Sequence, residues 1–298
     1  VDLLSPLSPT PLEELVNGVT AAAGVRLYIK RDDLIHPTIS GNKWRKLKYN
    51  VLDAKTKGTE ALLTFGGAYS NHLYATAAAG QVAGLRTIGI VRGNELDEQA
   101  NSTLRFCRDH GMELHFVSRA EYRQRNSEAY LSQVLTRFGN PYLIPEGGTT
   151  RLALKGVAEM VVEIQEQLGV MPEYIATAAG TGGTAAGILS TGCNVYAFAV
   201  LKDGLFLAGD IQDLLLGCRE SGSLVLLTDY HFGGYAKCKP ELLAFMDSFK
   251  AEFGIQLEQV YTAKMFYGLF ELIKMGNFEP GTTIVAVHTG GLQGLIRN

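Results

Sequence analysis

The chain has 298 residues, of which 46% are hydrophobic and 19% charged, and a net charge of −3. Such a balance suits a globular enzyme with a substantial core, in one large domain or two smaller ones. It argues against nucleic acid or an anionic membrane as the principal partner, and no apolar run is long enough to span a bilayer. No signal peptide is evident, and a few residues are expected to be missing ahead of Val1. Cysteines stand at 107, 193, 218 and 238 without a C-x-x-C pair or histidines at zinc-ligand spacing. They read as reduced, mostly buried thiols of a cytoplasmic protein that holds no metal.

Strand and helix patterns alternate along the chain. Strands are predicted over Val25–Lys30, Ala61–Phe65, Thr87–Val91, Glu113–Val117, Tyr142–Ile144, Tyr174–Ala178, Val195–Val200, Leu224–Leu227 and Thr282–His288. Between them helices are predicted over Lys43–Lys55, Asn71–Ala83, Ser102–His110, Glu121–Phe138, Leu152–Leu168, Ala185–Thr191, Asp210–Cys218, Pro240–Phe253 and Ala263–Lys274. This alternation implies an α/β fold of mostly parallel sheets with helices on both faces. About ten strands are too many for one sheet at this length, so two open twisted sheets are expected. No Pro-, Gly- or Ser-rich linker separates them, and Thr191–Asn194 is a very short connection.

Chemistry concentrates in three polar loops, each leading into a helix: Ser40-Gly41-Asn42-Lys43-Trp44-Arg45-Lys46, Gly66-Gly67-Ala68-Tyr69-Ser70-Asn71-His72, and Gly180-Thr181-Gly182-Gly183-Thr184. A helix start offers unpaired N–H groups and the positive end of its dipole to an anion. A lysine beside that positive end loses its proton more readily, and a free amine is what a carbonyl cofactor needs for a Schiff base. Among the basic residues near it, Arg45 and Lys48 read as a solvated helix face. In the third loop the glycines allow close backbone approach, and Thr181 and Thr184 add hydroxyls, so a phosphate is the expected guest. No Gly-Lys-Ser/Thr follows, so it is not a P-loop. Gly180-x-Gly182-x-x-Ala185, with Asp203 about 20 residues on, also fits a dinucleotide fingerprint and an NAD(P)-dependent reductase. That reading leaves Lys43, Ser70 and Asn71 without a role.

Taken together, Gly41-Asn42-Lys43 with Lys46, the Ser70-Asn71 loop and the 180–184 loop resemble the pyridoxal-phosphate enzymes of the tryptophan-synthase-β fold type (fold type II). Within that group the chain is similar to the 1-aminocyclopropane-1-carboxylate (ACC) deaminases and D-cysteine desulfhydrases. The likeness runs from Ser8-Pro9-Thr10-Pro11-Leu12 through Lys30-Arg31-Asp32-Asp33-Leu34 to His288-Thr289-Gly290-Gly291. It implies a larger cofactor-binding domain over 1–47 and 150–298, a smaller α/β domain over 48–149, and a homodimer. It implies that Lys43 carries pyridoxal 5'-phosphate. Lys46 with Gly180, Thr181, Gly182, Gly183 and Thr184 would hold the phosphate. Asn71 would bond the ring oxygen, and Ser70 the substrate carboxylate. Tyr235 and Tyr261 match two active-site tyrosines, Thr262 matches the residue facing the pyridine nitrogen, and Thr289 lies on the substrate side.

Each residue has a plainer reading. Lys43 also fits a solvated charge, Ser70 an N-cap, the tyrosines packing residues, and Thr262 a cap for the helix after it. His72 and His288 fit core or turn histidines. ACC deaminases as a class carry glutamate where this chain has Thr262 and leucine where it has Thr289, whereas D-cysteine desulfhydrases carry small hydroxyl residues at both. The resemblance therefore implies α,β-elimination of D-cysteine or a β-substituted D-amino acid, with ACC deamination as the alternative. A non-catalytic homologue that keeps the cofactor is a third reading.

Overall fold

A computed structural model describes residues 9–218 and 222–295, so Ser8 of the first motif lies outside the described residues. Among the described residues ten strands form two sheets. The six-stranded sheet has the order β1 (Leu12–Glu14), β2 (Arg26–Lys30), β10 (Thr283–Val287), β7 (Tyr174–Ala179), β8 (Val195–Ala199) and β9 (Leu224–Leu227). The four-stranded sheet has the order β5 (Met112–Val117), β4 (Arg86–Arg92), β3 (Ala61–Gly67) and β6 (Tyr142–Ile144). All pairings are parallel except β1 with β2. The expected architecture of two mostly parallel sheets is thus observed.

Among the described residues eleven α-helices cover the sheets: α1 (Gly18–Ala23), α2 (Asn42–Thr56), α3 (Asn71–Ala83), α4 (Ser102–Asp109), α5 (Arg119–Tyr122), α6 (Glu128–Arg137), α7 (Arg151–Leu168), α8 (Gly183–Leu189), α9 (Leu207–Leu215), α10 (Pro240–Phe253) and α11 (Thr262–Lys274). Every position of β10 is buried, with Ile284 and Ala286 facing one core and Val285 and Val287 the other. Burial on both faces explains why this strand reads as a continuous apolar run rather than an alternating one. One core joins the sheet to α10 and α11 through Leu242, Phe249, Phe266 and Leu269, the other to α7 and α8 through Val157, Val161, Ala185 and Ile188.

Several expectations need correction. β1 and α1 carry no predicted counterpart, because three residues of strand and a six-residue helix are too short for a periodic signal. The single helix predicted over Glu121–Phe138 is two, since Ser118 caps α5 and a fresh start at Ser127 opens α6. α9 begins at Leu207 and ends at Leu215 rather than spanning Asp210–Cys218. Only Cys107 and Cys193 are buried; Cys218 is exposed and Cys238 intermediate.

The largest correction concerns α2. Arg45 is not on a solvated face but is fully buried, its guanidinium bonded to both oxygens of Asp32 (3.1 and 2.9 Å) and to both of Glu163. Lys30 Nζ joins the same knot through Glu163 Oε2 (2.8 Å) and Thr10 O (2.7 Å), and Thr10 Oγ1 donates to Asp32 Oδ1 (2.8 Å). Burial alone would weaken the Arg45 charge, but the Asp32 and Glu163 carboxylates outweigh it and raise its pKa. Lys48 bonds Glu159 on α7 (2.8 Å). The sequence motifs around 10, 30–33 and 45 are therefore one ionic cluster that ties α2 to β2 and α7.

α2 and α7 approach so closely that a Cβ at Gly156 would lie 1.9 Å from the Arg45 carbonyl oxygen. Gly156→Ala is expected to lower stability by about 1–3 kcal/mol or more, as overpacking against backbone does. Gly209→Ala in α9, where an added Cβ meets nothing within 4 Å, is expected to be neutral or to stabilise by about 1 kcal/mol. Urea unfolding midpoints of the two variants check both outcomes.

Candidate active site

Loops leaving the carboxyl ends of strands in both sheets converge on the first turn of α2, the position where open α/β sheets bind ligands. Gly41 starts that helix with φ +65°, and a Cβ there would lie 1.8 Å from the Thr289 carbonyl oxygen. Only glycine fits such a turn and approach, and the Asn42 N–H donates to that same oxygen (3.3 Å). Lys43 is thereby docked against the 288–291 loop after β10.

Among the described residues Lys43 Nζ has a single hydrogen bond, to Asn42 Oδ1 (3.2 Å). Its setting lowers its pKa to about 8, through burial. Asn42 Nδ2 in turn donates to Thr184 Oγ1 (2.8 Å), linking α2 to the third glycine loop. Lys46 is fully buried, and Nζ donates to Thr149 Oγ1 (2.8 Å) and, more weakly, towards Thr181 Oγ1 (3.5 Å). Among the described residues no carboxylate pairs with it. Burial, then the neighbouring Lys43 charge, holds its pKa well below normal. A Cβ at Gly183 would lie 2.8 Å from both Lys46 Nζ and Thr149 Oγ1. The site therefore contains a buried amine with hydroxyls around it and no counter-charge, which an anion would complete.

His72 adds a second incomplete group. Thr64 Oγ1 donates to Ile144 O (2.7 Å), so its lone pair faces His72 Nε2 (2.8 Å), and that nitrogen carries the hydrogen. Among the described residues Nδ1 is a buried atom that makes no short hydrogen bond. It lies near Gly148, where a Cβ would come within 3.3 Å of it and within 3.6 Å of Lys46 Cβ. Burial and then the Lys43 and Lys46 charges keep the ring's pKa well below its usual value. His288, by contrast, is fully bonded, to Gln256 O (2.8 Å) and Gly290 N (3.2 Å), and joins two loops.

Ser70 is an N-cap, as its plainer reading held: Oγ accepts from His72 N and Leu73 N, both at 3.2 Å. Its hydroxyl hydrogen remains available. Asn71 Oδ1 accepts from Gln293 Nε2 (2.7 Å), and a Cβ at Gly291 would lie 2.8 Å from Asn71 Nδ2. The Tyr235 and Tyr261 rings meet edge-on at 6.0 Å and 75°. Burial first, then for Tyr261 the neighbouring Tyr235, pushes both phenols above their ordinary pKa. Tyr261 also borders the third loop, 3.1 Å from the Cβ position of Gly180. Thr289 is buried beside Gly41. Lys43, Lys46, Asn42 and the 180–184 loop are in direct contact or one residue removed from it.

Thr262 is buried, but it is not the helix cap. Instead the Glu258 carboxylate accepts from the N–H groups of Val260 (2.7 Å), Tyr261 (2.6 Å) and Thr262 (2.7 Å). Thr262 Oγ1 accepts from Glu258 N (2.9 Å) and has only long contacts, of 3.3 and 3.4 Å, for its hydrogen. Sequence reasoning missed Glu258, Thr149 and Asn42. Glu258 stands three residues ahead of the N-cap Tyr261, outside the usual capping pattern, so its role was not legible in the sequence. Thr149 carried no signal, because its partner is 103 residues away.

The dinucleotide reading fails on both geometry and kinship. The glycine loop abuts Lys46, whereas Asp203 is exposed in a left-handed turn. Residues 3–191 match the family described as pyridoxal-phosphate dependent enzyme. A bifunctional D-cysteine desulfhydrase/1-aminocyclopropane-1-carboxylate deaminase of Arabidopsis thaliana is 35% identical, over 96% of this chain and 77% of its own. A D-cysteine desulfhydrase of Klebsiella pneumoniae is 29% identical, over 97% and 93%. Among solved structures, an ACC deaminase homologue superposes with a TM-score of 0.84 at 32% identity, over 99% of this chain and 92% of that one. Matched by that family model over residues 3–191 and by relatives over nearly its whole length, the chain belongs to the pyridoxal-phosphate-dependent family of ACC deaminases and D-cysteine desulfhydrases.

Proposed function

We propose that the protein catalyses α,β-elimination of D-cysteine, or of a related β-substituted D-amino acid, to pyruvate, ammonia and sulfide. Family membership leaves D-cysteine and ACC equally open. The observation that carries the choice is the Thr262 hydroxyl, buried and with a hydrogen that makes no short bond. It suits donation to a neutral pyridine nitrogen. Glu258 is close, but its oxygens are taken up by three backbone N–H groups, so it does not replace the glutamate that ACC deaminases carry at position 262. Thr289 likewise gives the substrate side a polar wall, which disfavours an apolar three-membered ring.

In this reading Lys43 is the amine that carries the cofactor, and Lys46 with Gly180–Thr184 holds its phosphate. Bound pyridoxal phosphate supplies an electron-accepting ring for the charge left on Cα. Asn71 bonds the ring oxygen. Ser70, whose oxygen already accepts two N–H groups, gives its remaining hydrogen to the substrate carboxylate. The freed Lys43 amine takes the Cα proton; its lowered pKa puts a useful fraction in the basic form near neutrality. Tyr261 or Tyr235, held protonated by its surroundings, protonates the departing sulfur or positions Cα. Assembly as a homodimer and a cytoplasmic location belong to the same proposal; among the described residues no helix is long and apolar enough to cross a membrane.

Sulfide and pyruvate released from D-cysteine are expected to exceed 2-oxobutyrate released from ACC, and the reverse order would reject the threonine argument. Capture of pyridoxal phosphate by Lys43, followed by visible absorbance, is expected to accelerate by about tenfold per pH unit below pH 8 and to level off above it, because the amine's pKa is lowered to about 8. Lys43→Ala should abolish the absorbance change. Inorganic phosphate is expected to raise the melting temperature of the cofactor-free protein and of Lys43→Ala, but not of Lys46→Ala. The last variant should bind pyridoxal phosphate about 10–100-fold more weakly, the usual loss for a charge-assisted bond.

A further inference from the structure

Lys264, in the first turn of α11, has no part in the chemistry above, yet it is a fully buried cation. Its one hydrogen bond within the described residues goes to a main-chain carbonyl, Gly234 O (2.8 Å). Burying an ammonium is costly unless it is bonded or near an opposite charge. Here the compensation comes from that carbonyl and from the nearby Glu258 carboxylate.

The loop it reaches is strained. Phe232 (φ +53°), Gly233 (+98°), Gly234 (+115°) and Ala236 (+56°) are all left-handed, and two of them are not glycine. Backbone of this kind persists only where its surroundings over-determine it. Five contacts do so: Gly233 N donates to His231 Nδ1 (2.9 Å), Gly234 N donates to His231 O (3.0 Å), the Phe232 ring packs edge-on against Tyr267 of α11 (5.0 Å), and Gly234 O accepts from Lys237 N (3.1 Å) and from Lys264 Nζ (2.8 Å). Tyr235 is the next residue. Its partner Tyr261 is held by the Glu258 carboxylate on its backbone N–H (2.6 Å), the same carboxylate that lies near Lys264.

The geometry points to Lys264 as a positioning residue that sets Tyr235 against Tyr261 by holding the Gly234 carbonyl. The importance of that pair rests on the functional reading given above; the loop restraint does not. A methionine fills the same channel without a donor, and arginine keeps one.

Hydrogen–deuterium exchange of the pyridoxal-phosphate-loaded protein tests the restraint. In Lys264→Met, amides of 231–237 should exchange about tenfold faster or more, with β7 and β10 unchanged, whereas Lys264→Arg should stay within about twofold of the parent. Unchanged exchange of 231–237 in Lys264→Met overturns the proposal. Should that variant not fold, Lys264→Leu, which also lacks a donor, is judged by the same criterion. Kinetically, Lys264→Met should lower kcat to the level of Tyr235→Phe with KM unchanged, and the double variant should fall no further; multiplicative losses overturn the link to Tyr235. A parent protein that turns over neither D-cysteine nor ACC removes the functional reading and leaves the exchange result to decide the restraint.

Discussion

Arg45 and Lys46 are neighbours on one helix, both buried, and opposite in what surrounds them. Arg45 is gripped by two carboxylates. Lys46 has only hydroxyls. Much of the site follows from that difference. A buried ion pair adds little net stability, because desolvation cancels most of the attraction, but an orphaned partner is very costly. The Arg45 knot therefore acts as a key: α2 docks on β2 and α7 in the one pose that pairs Asp32, Glu163 and Lys30 together. That pose points Lys43 and Lys46 into the space between the sheets.

With α2 pinned, Lys46 stands as a buried amine with no carboxylate partner among the described residues, the setting proposed above for the cofactor phosphate. Neighbouring loops bring it donors and hydroxyls but no acid, and Gly183 keeps a side chain out of the way. Among the described residues the pocket thus holds an amine bonded only to hydroxyls and an imidazole nitrogen, His72 Nδ1, without a short hydrogen bond, groups that a ligand can complete. The physical signature is the one expected of a site evolved around a phosphate-bearing cofactor.

The fold was largely legible from residue patterns because parallel strands buried on both faces, such as Thr283–Val287, are apolar without interruption. Short elements such as Leu12–Glu14 left no period to read. The site was legible in part, because glycines and small polar residues at helix starts carry a local signal. Arg45 shows the limit. Amid Lys43, Lys46 and Lys48 it has the composition of a wet helix face, and nothing within a few residues announces Glu163. Lys264 was invisible for the same reason: its acceptor is thirty residues back along the chain.

By itself the sequence determined the class of fold, the order of the loops and the residues able to do carbonyl and phosphate chemistry, since propensity, burial pattern and turn residues act over short stretches of chain. Only the tertiary structure decided which charges are paired and which are left open. Separation along the chain says nothing of distance in space, and a lysine becomes a base or an anion site according to which carboxylates the folded chain brings within about 4 Å.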